Sequence, residues 1–134
     1  MNLRTDNLPW PISDTLYHLI QDTLTTAGIA QETGAIISFR DPGYCPDKGG
    51  FHPVEIAVGP GGCIEYITDF SYFGRLPHCE LGKELDFDFS LGLFQHFGVE
   101  YPISSGRELF SLWESNFLAY HQMKSYTVSI EPMG

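Results

Sequence analysis

Apolar residues recur along this chain at two periods, and the period changes where the chain changes element. Leu16, Leu19, Ile20 and Leu24 fall at i, i+3, i+4 and i+8, one stripe of a helix. Ser13 is placed to cap that helix, Asp14 favours its dipole, and Ile12 and Tyr17 have hydrophobic-staple spacing. Gly28 suits the left-handed residue that closes it. From residue 35 the period drops to two. Residues 35–40 predict a strand with Ile37 and Phe39 on one face, broken by Asp41-Pro42-Gly43. Residues 51–58 predict a second, with Val54, Ile56 and Val58 inward, and Gly59-Pro60-Gly61-Gly62 a tight reversal. Residues 63–73 set Ile64, Tyr66, Phe70 and Tyr72 against Cys63, Ile67 and Phe73. A strand apolar on both sides is expected at the centre of a sheet, covered twice.

Residues 84–89 predict a fourth strand, with Leu85, Phe87 and Phe89 opposite Glu84, Asp86 and Asp88. Residues 91–97 fit either period. The spacing of Leu93 and Phe97, with Ser90 to cap and Gly98 to terminate, favours a short helix there. Ser105 and Glu108 have capping-box spacing ahead of a second long helix. Leu109, Leu112, Trp113, Phe117 and Tyr120 form its broad apolar face, widened by Phe110. Tyr126, Val128 and Ile130 alternate as a closing strand. The order α-β-β-β-β-α-β predicts an α+β fold: a mainly antiparallel sheet of four to five strands with two long helices packed on it. Residues 1–11, where Pro9 and Pro11 bracket Trp10, read as an N-terminal tail. Residues 12–134 read as a single domain, long enough for a core without staples.

Charge narrows the range of partners. Against 17 acidic residues the chain sets 7 cationic ones, a formal net charge of −10. Arg4, Arg40, Lys48, Arg75, Lys83, Arg107 and Lys124 are scattered and make no basic stripe. Nucleic-acid binding draws its affinity from cations that displace counterions, so direct DNA or RNA binding and adhesion to anionic membranes are not expected. Cys45, Cys63 and Cys79 make no disulfide framework, and no apolar run approaches the ~20 residues of a membrane span. The N-terminal residues lack an apolar signal core, so a cytoplasmic protein is expected.

The segments FHPVEI, ITDFSY and ELDFDFS, with the Leu112–Trp113 pair on the second helix, resemble a small bacterial family of uncharacterised proteins known only as a domain of unknown function. The resemblance runs from about Gly34 to Ile130. It implies a compact bacterial protein carried with mobile or accessory gene sets, and it brings no catalytic residues with it.

Several constellations could carry chemistry, and each has a plainer reading. Asp86-Phe87-Asp88 is a D-x-D triplet of the kind that holds a divalent ion beside substrate phosphates. The triplet is common, and no phosphate loop accompanies it. Carboxylates two apart on a strand lie roughly 6.6 Å apart, inside the inverting-glycosidase range, but they point the same way instead of flanking a bond. Glu80 or Glu84 would have to supply the opposing group. His78-Cys79, with His52 and Cys45 or Cys63, could gather around zinc, yet the chain has no C-x-x-C pair. A reactive cysteine would need an electropositive pocket that this composition scarcely provides. His18, His96 and His121 read as structural or surface residues. No metal site, cofactor fingerprint or nucleophile elbow is expected.

These readings favour a non-enzymatic binding module that docks a protein partner, or a second copy of itself, through an acidic, aromatic sheet face. The expected contacts are Tyr66, Asp69, Tyr72, Phe73, Asp86 and Asp88, since aromatic residues dominate interface hot spots. One alternative is an acidic DNA mimic, which needs a continuous negative stripe. Another is a small hydrolase or metal-dependent enzyme using residues 78–88, which needs a deep pocket gathering His52, His78, Glu80, Asp86 or Asp88.

Overall fold

The computed structural model describes residues 1–134. Helix α1 spans Asp14–Thr26 and α2 spans Arg107–Gln122. The strands are β1 Ala35–Arg40, β2 Val54–Val58, β3 Ile64–Phe73, β4 Glu80–Asp88, β5 Leu93–His96, β6 Val99–Pro102 and β7 Thr127–Pro132. They form one antiparallel sheet in the order β6-β5-β4-β3-β2-β1-β7, which makes β3 the central strand. The α+β class and the two helices match the pattern of the sequence. The strand number does not: there are seven, and six precede α2.

The extra strands are β5, which replaces the short helix expected over residues 91–97, and β6 just after it. His96 pairs with Val99 across a two-residue turn, in which Phe97 and Gly98 both have positive φ (50° and 82°). Two consecutive left-handed residues are what a tight hairpin needs, because their twist matches the flanking strands. The Leu93–Phe97 spacing that favoured a helix is thus shared between a strand and its turn. A second local correction concerns α2. Its N-cap is Gly106, without a side-chain capping bond, and Ser105 lies in a short 3-10 turn, Ile103–Gly106, ahead of it. Gly106 is pressed against β5, where a Cβ would stand 2.9 Å from the Phe94 ring.

Helix α1 follows its local signals. Ser13 Oγ accepts from the Leu16 N–H at 3.1 Å. Gly28, at φ 69°, donates to Thr25 and the next N–H, Ile29, to Leu24, the paired bonds of a Schellman ending. Both helices pack on one face of the sheet. Alternate sheet residues on that face, among them Ile37, Phe39, Val54, Ile56, Ile67, Phe87 and Phe94, join Leu16, Ile20, Leu24, Phe110, Trp113 and Phe117 in one buried cluster. Leu3 and Trp10 of the N-terminal segment belong to it too, with Trp10 beside Phe89 and Phe110. No helix is long and apolar enough to cross a membrane.

Two bulges interrupt the ladder around β3. Glu65 is the extra residue against β2, and Glu84 is the extra residue of β4 where Asp69 pairs with Leu85 and Phe70 with Lys83. A bulge bends its strand and re-aims the side chain it carries. Both helices lie on one face of the sheet, and the second face of β3 carries no helix.

Candidate functional site

The row on the open face runs Ser38, Glu55, Thr68, Asp86, Gln95 and Glu100 across five neighbouring pairs. Tyr66 and Asp88 form the next row, directly opposite each other. Several of these groups are bound by their neighbours. Tyr66 donates its phenol to Glu55 at 2.6 Å, and buried Thr68 donates to Asp86 at 2.8 Å. Lys83 stands 3.5 Å from Asp86. Asp88 accepts from Ser90 and from the Leu91 N–H, which fastens the β4–β5 turn. Burial first, and then the Glu55 hydrogen bond, push the Tyr66 phenol well above its ordinary pKa. In the long row, acids fall on every second strand, roughly 9.5 Å apart. Duplex phosphates come one per ~1.7 Å of axis, so this row is a poor copy of them.

Of the six expected contact residues, Tyr66, Asp86 and Asp88 fall in these two rows. Tyr72 instead stacks on Tyr44 at 5.0 Å, and its N–H donates to the Tyr44 hydroxyl. Phe73 is partly exposed, edge-on to Phe97. Asp69 goes to the other side. It has the parity of Ile67, and therefore points toward the helices.

There, between α2 and the β3–β4 ribbon, lies a cleft of about 340 Å³. Phe51, Trp113, Phe117, Tyr120 and Tyr126 wall it, with Leu85, Leu109 and Leu112. The apolar face of α2 is divided by its depth: Phe110, Trp113 and Phe117 are buried, while Leu109, Leu112 and Tyr120 turn to the cleft. The loop between β1 and β2 closes one side. Asp41 holds it by accepting from the Gly43 and Phe51 N–H groups, at 2.9 and 3.0 Å. That loop runs on to residue 53, so strand β2 begins at Val54 and not at residue 51, and Phe51 and His52 are left to face the cleft. Phe51 meets Tyr120 at 4.5 Å.

Three titratable side chains meet at the polar side of this cleft. His52 Nδ1 lies 3.0 Å from Asp69 Oδ1 and 3.4 Å from Glu84 Oε2. Asp69 is the deepest, with 12 % of its side chain exposed, then Glu84 at 23 % and His52 at 37 %. The indole N–H of Trp113 donates to the second Asp69 oxygen, Oδ2, at 3.1 Å. Each element supplies one group: the loop gives His52, the central strand Asp69, the bulge Glu84 and the helix Trp113. The hydrogen bond to Asp69 outweighs burial and, with the charges of Asp69 and Glu84, raises the His52 imidazole above its ordinary pKa. Burial, helped by the Asp69 charge, raises the Tyr126 phenol.

Of the pocket expected to gather His52, His78, Glu80, Asp86 or Asp88, only His52 lines the cleft. His78 lies in the β3–β4 turn and Asp86 and Asp88 on the opposite face. Cys45, Cys63 and Cys79 are free and partly exposed. Sequence reasoning named His52, Asp69 and Glu84 separately but did not join them, and it missed Trp113, Phe51, Tyr120 and Tyr126 as a wall. One signal was present. Asp69 shares its face of β3 with Ile67, and an acid turned toward a core must find partners there.

The model of a protein family described as protein of unknown function (DUF2787) matches residues 14–131. The solved structure of the hypothetical protein VC0508, from the VSP-II pathogenicity island of Vibrio cholerae, is 39% identical with a TM-score of 0.80. That match covers 96% of this chain and 98% of the other. The conserved hypothetical protein VC1805, from pathogenicity island VPI-2 of Vibrio cholerae, is 41% identical with a TM-score of 0.77, over 90% of this chain and 95% of that one. VC1805 is described as sharing structural homology with the human P32 protein. No curated protein matches the chain.

Proposed function

We propose that this chain, which belongs to the DUF2787 family of proteins of unknown function, is a ligand-binding protein whose site is the cleft between α2 and the β3–β4 ribbon. One observation carries this reading: His52, Asp69 and Glu84, drawn from three separate elements, converge at an aromatic-walled cavity of about 340 Å³. Small-molecule sites are concave, mostly apolar and of ~300–1,000 Å³, with a few convergent polar groups that set orientation. The aromatic and leucine walls would bury the flat or branched body of a ligand. The polar side would fix its head group.

Trp113 lines the cleft and reports its occupancy through fluorescence. Titration with a panel of small aromatic and aliphatic amines, carboxylates and alcohols is expected to give saturable quenching by at least one class. Leu112 is exposed on α2 and lines the same cleft. Leu112→Arg is therefore expected to leave the fold intact and abolish the quenching. Were no compound to bind saturably up to millimolar concentration, or were Leu112→Arg to bind as well as the parent chain, the cleft would not be the site.

A second reading, docking of a protein partner on the open face around Tyr66, Asp86 and Asp88, is supported by a seven-stranded sheet with both helices on one side. Self-association through that face would appear as concentration-dependent mass in light scattering. Tyr66→Ala should abolish it, and a monomer at every concentration would exclude it.

A further inference from the structure

We propose that His52 Nδ1, Asp69 Oδ1 and Glu84 Oε2 form a three-ligand site for a divalent transition-metal ion of the zinc class, with its open position facing the cleft. Zinc sites place nitrogen and oxygen ligands ~2.0–2.2 Å from the ion, so two ligands of a tetrahedron stand about 3.3 Å apart. The histidine nitrogen stands 3.0 and 3.4 Å from the two carboxylate oxygens, and all three atoms lie within 4.8 Å of one another. Small rotations of the Glu84 side chain, which is the longest and sits on the bulge, complete the triangle.

Three features beyond spacing point the same way. Trp113 binds the Asp69 oxygen that faces away from His52, leaving Oδ1 directed at the imidazole. A donor on the outer oxygen is the usual way a protein orients a ligating carboxylate. One imidazole with two carboxylates is a donor set that suits zinc and its neighbours, whereas magnesium and calcium ask for more oxygens. Two carboxylates also cancel the charge of a divalent ion, so the filled site is neutral in a half-buried place. On binding, the ion takes the Nδ1 lone pair, the Nδ1 proton leaves to solvent, and the ring keeps its proton on Nε2.

Three protein ligands leave a fourth position, and because all three line the aromatic cleft that position opens toward it. In this respect the inference rests on the ligand-binding reading: the head group held there would be one that coordinates metal, such as a carboxylate or a hydroxamate. The ion site itself does not depend on a ligand being present.

The test uses the full chain without a polyhistidine tag, stripped with chelator. Competition of Zn²⁺ with a chromophoric chelator is expected to show one ion per chain, and Mg²⁺ far weaker binding. Asp69→Asn and Glu84→Gln should each remove stoichiometric binding, and Trp113→Phe should weaken it about 10–100-fold. His78→Gln and Asp88→Asn should leave it unchanged. Zinc should shift the Nδ1 resonance of His52 alone among the five histidines. Binding that is absent at micromolar zinc, or that survives Asp69→Asn and Glu84→Gln, overturns the proposal. Circular dichroism checks that each variant is folded; if Asp69→Asn is not, the Glu84→Gln result and the His52 resonance decide. Small-molecule quenching in a chain that binds no zinc would sink the metal site and keep the cleft reading. Stoichiometric zinc with no ligand quenching would do the reverse.

Discussion

On the open face of the sheet, Asp86 and Asp88 are engaged by their immediate neighbours; in the cleft, Asp69 and Glu84 are aimed at one imidazole. Residues 68 and 69 make the contrast within a single peptide unit. Thr68 points to the open face and donates to Asp86, while Asp69 points to the helices and accepts from Trp113 and His52. Both regions are acidic and rich in rings. What separates them is convergence. On the open face Tyr66 pairs with Glu55 and Thr68 with Asp86 across strands, and no three titratable groups converge. The cleft gathers groups from a loop, a strand, a bulge and a helix at one place.

The largest expected effect tests whether the two faces are energetically separate. Phe87 lies between Asp86 and Asp88 in sequence but faces the helices, stacked on Phe94 and edge-on to Phe110. Phe87→Ala should cost about 3–5 kcal/mol of stability, as truncation of a buried ring does. Asp88→Asn next to it should stay within about 0.5 kcal/mol, as surface changes do. Urea denaturation measures both. Equal effects would mean that the acidic face and the core are one cooperative unit.

Thr68→Val sharpens the comparison at the next scale. It removes the donor to a carboxylate that is itself almost fully buried, and a hydrogen bond to a charged group is worth about 1.5–3 kcal/mol. Stability should fall by that amount while binding in the cleft, on the other face of the same strand, is unaltered. Tyr66→Phe is smaller, about 0.5–1.5 kcal/mol, because its bond to Glu55 is only half-buried. A loss of cleft binding in either variant would show that β3 transmits between its faces.

The same contrast decides what could be read from the chain. Local signals were enough for α1, whose cap, stripe and closing glycine all lie within its own sixteen residues, and for β1, β3 and β7, where alternation is strong. They failed at 91–102, because Phe97-Gly98 makes a hairpin turn without the Asn-Gly or Asp-Gly pair that announces one. They failed again at Ser105, because the start of α2 is set by the approach of Phe94 to Gly106, twelve residues apart. The cleft lay further out of reach. Its Glu84 turns toward His52 only because β4 bulges against β3, and a bulge is settled by pairing between strands, not by the residues that carry it. The acidic row at 84–88 was visible as composition, and most of it faces away from the site.

The smallest expected effect lies where the loop that carries Phe51 and His52 is fastened. Asp41 sits outside the core, and its carboxylate accepts from the Phe51 N–H and the Gly43 N–H. Those bonds, the one to Phe51 first, hold its pKa below the ordinary carboxylate value. An acid whose folded pKa is depressed stabilises the folded chain above its unfolded pKa, near 3.9, and that contribution is lost as pH falls through the folded value. Stability, and with it the Phe51–Tyr120 contact, should therefore decline in acid over the range below about pH 4. Asp41→Asn should flatten that part of the profile, since an amide keeps an acceptor oxygen but does not titrate. At neutral pH the same variant should loosen the loop and weaken ligand or metal binding in the cleft, while the open face, which the loop does not touch through Asp41, keeps its Thr68–Asp86 and Tyr66–Glu55 bonds. Proton NMR of the Phe51 and His52 rings between pH 2 and pH 7 follows the loop directly. A parent chain and an Asp41→Asn variant with superimposable acid profiles would show that the Asp41 carboxylate does not fasten the loop.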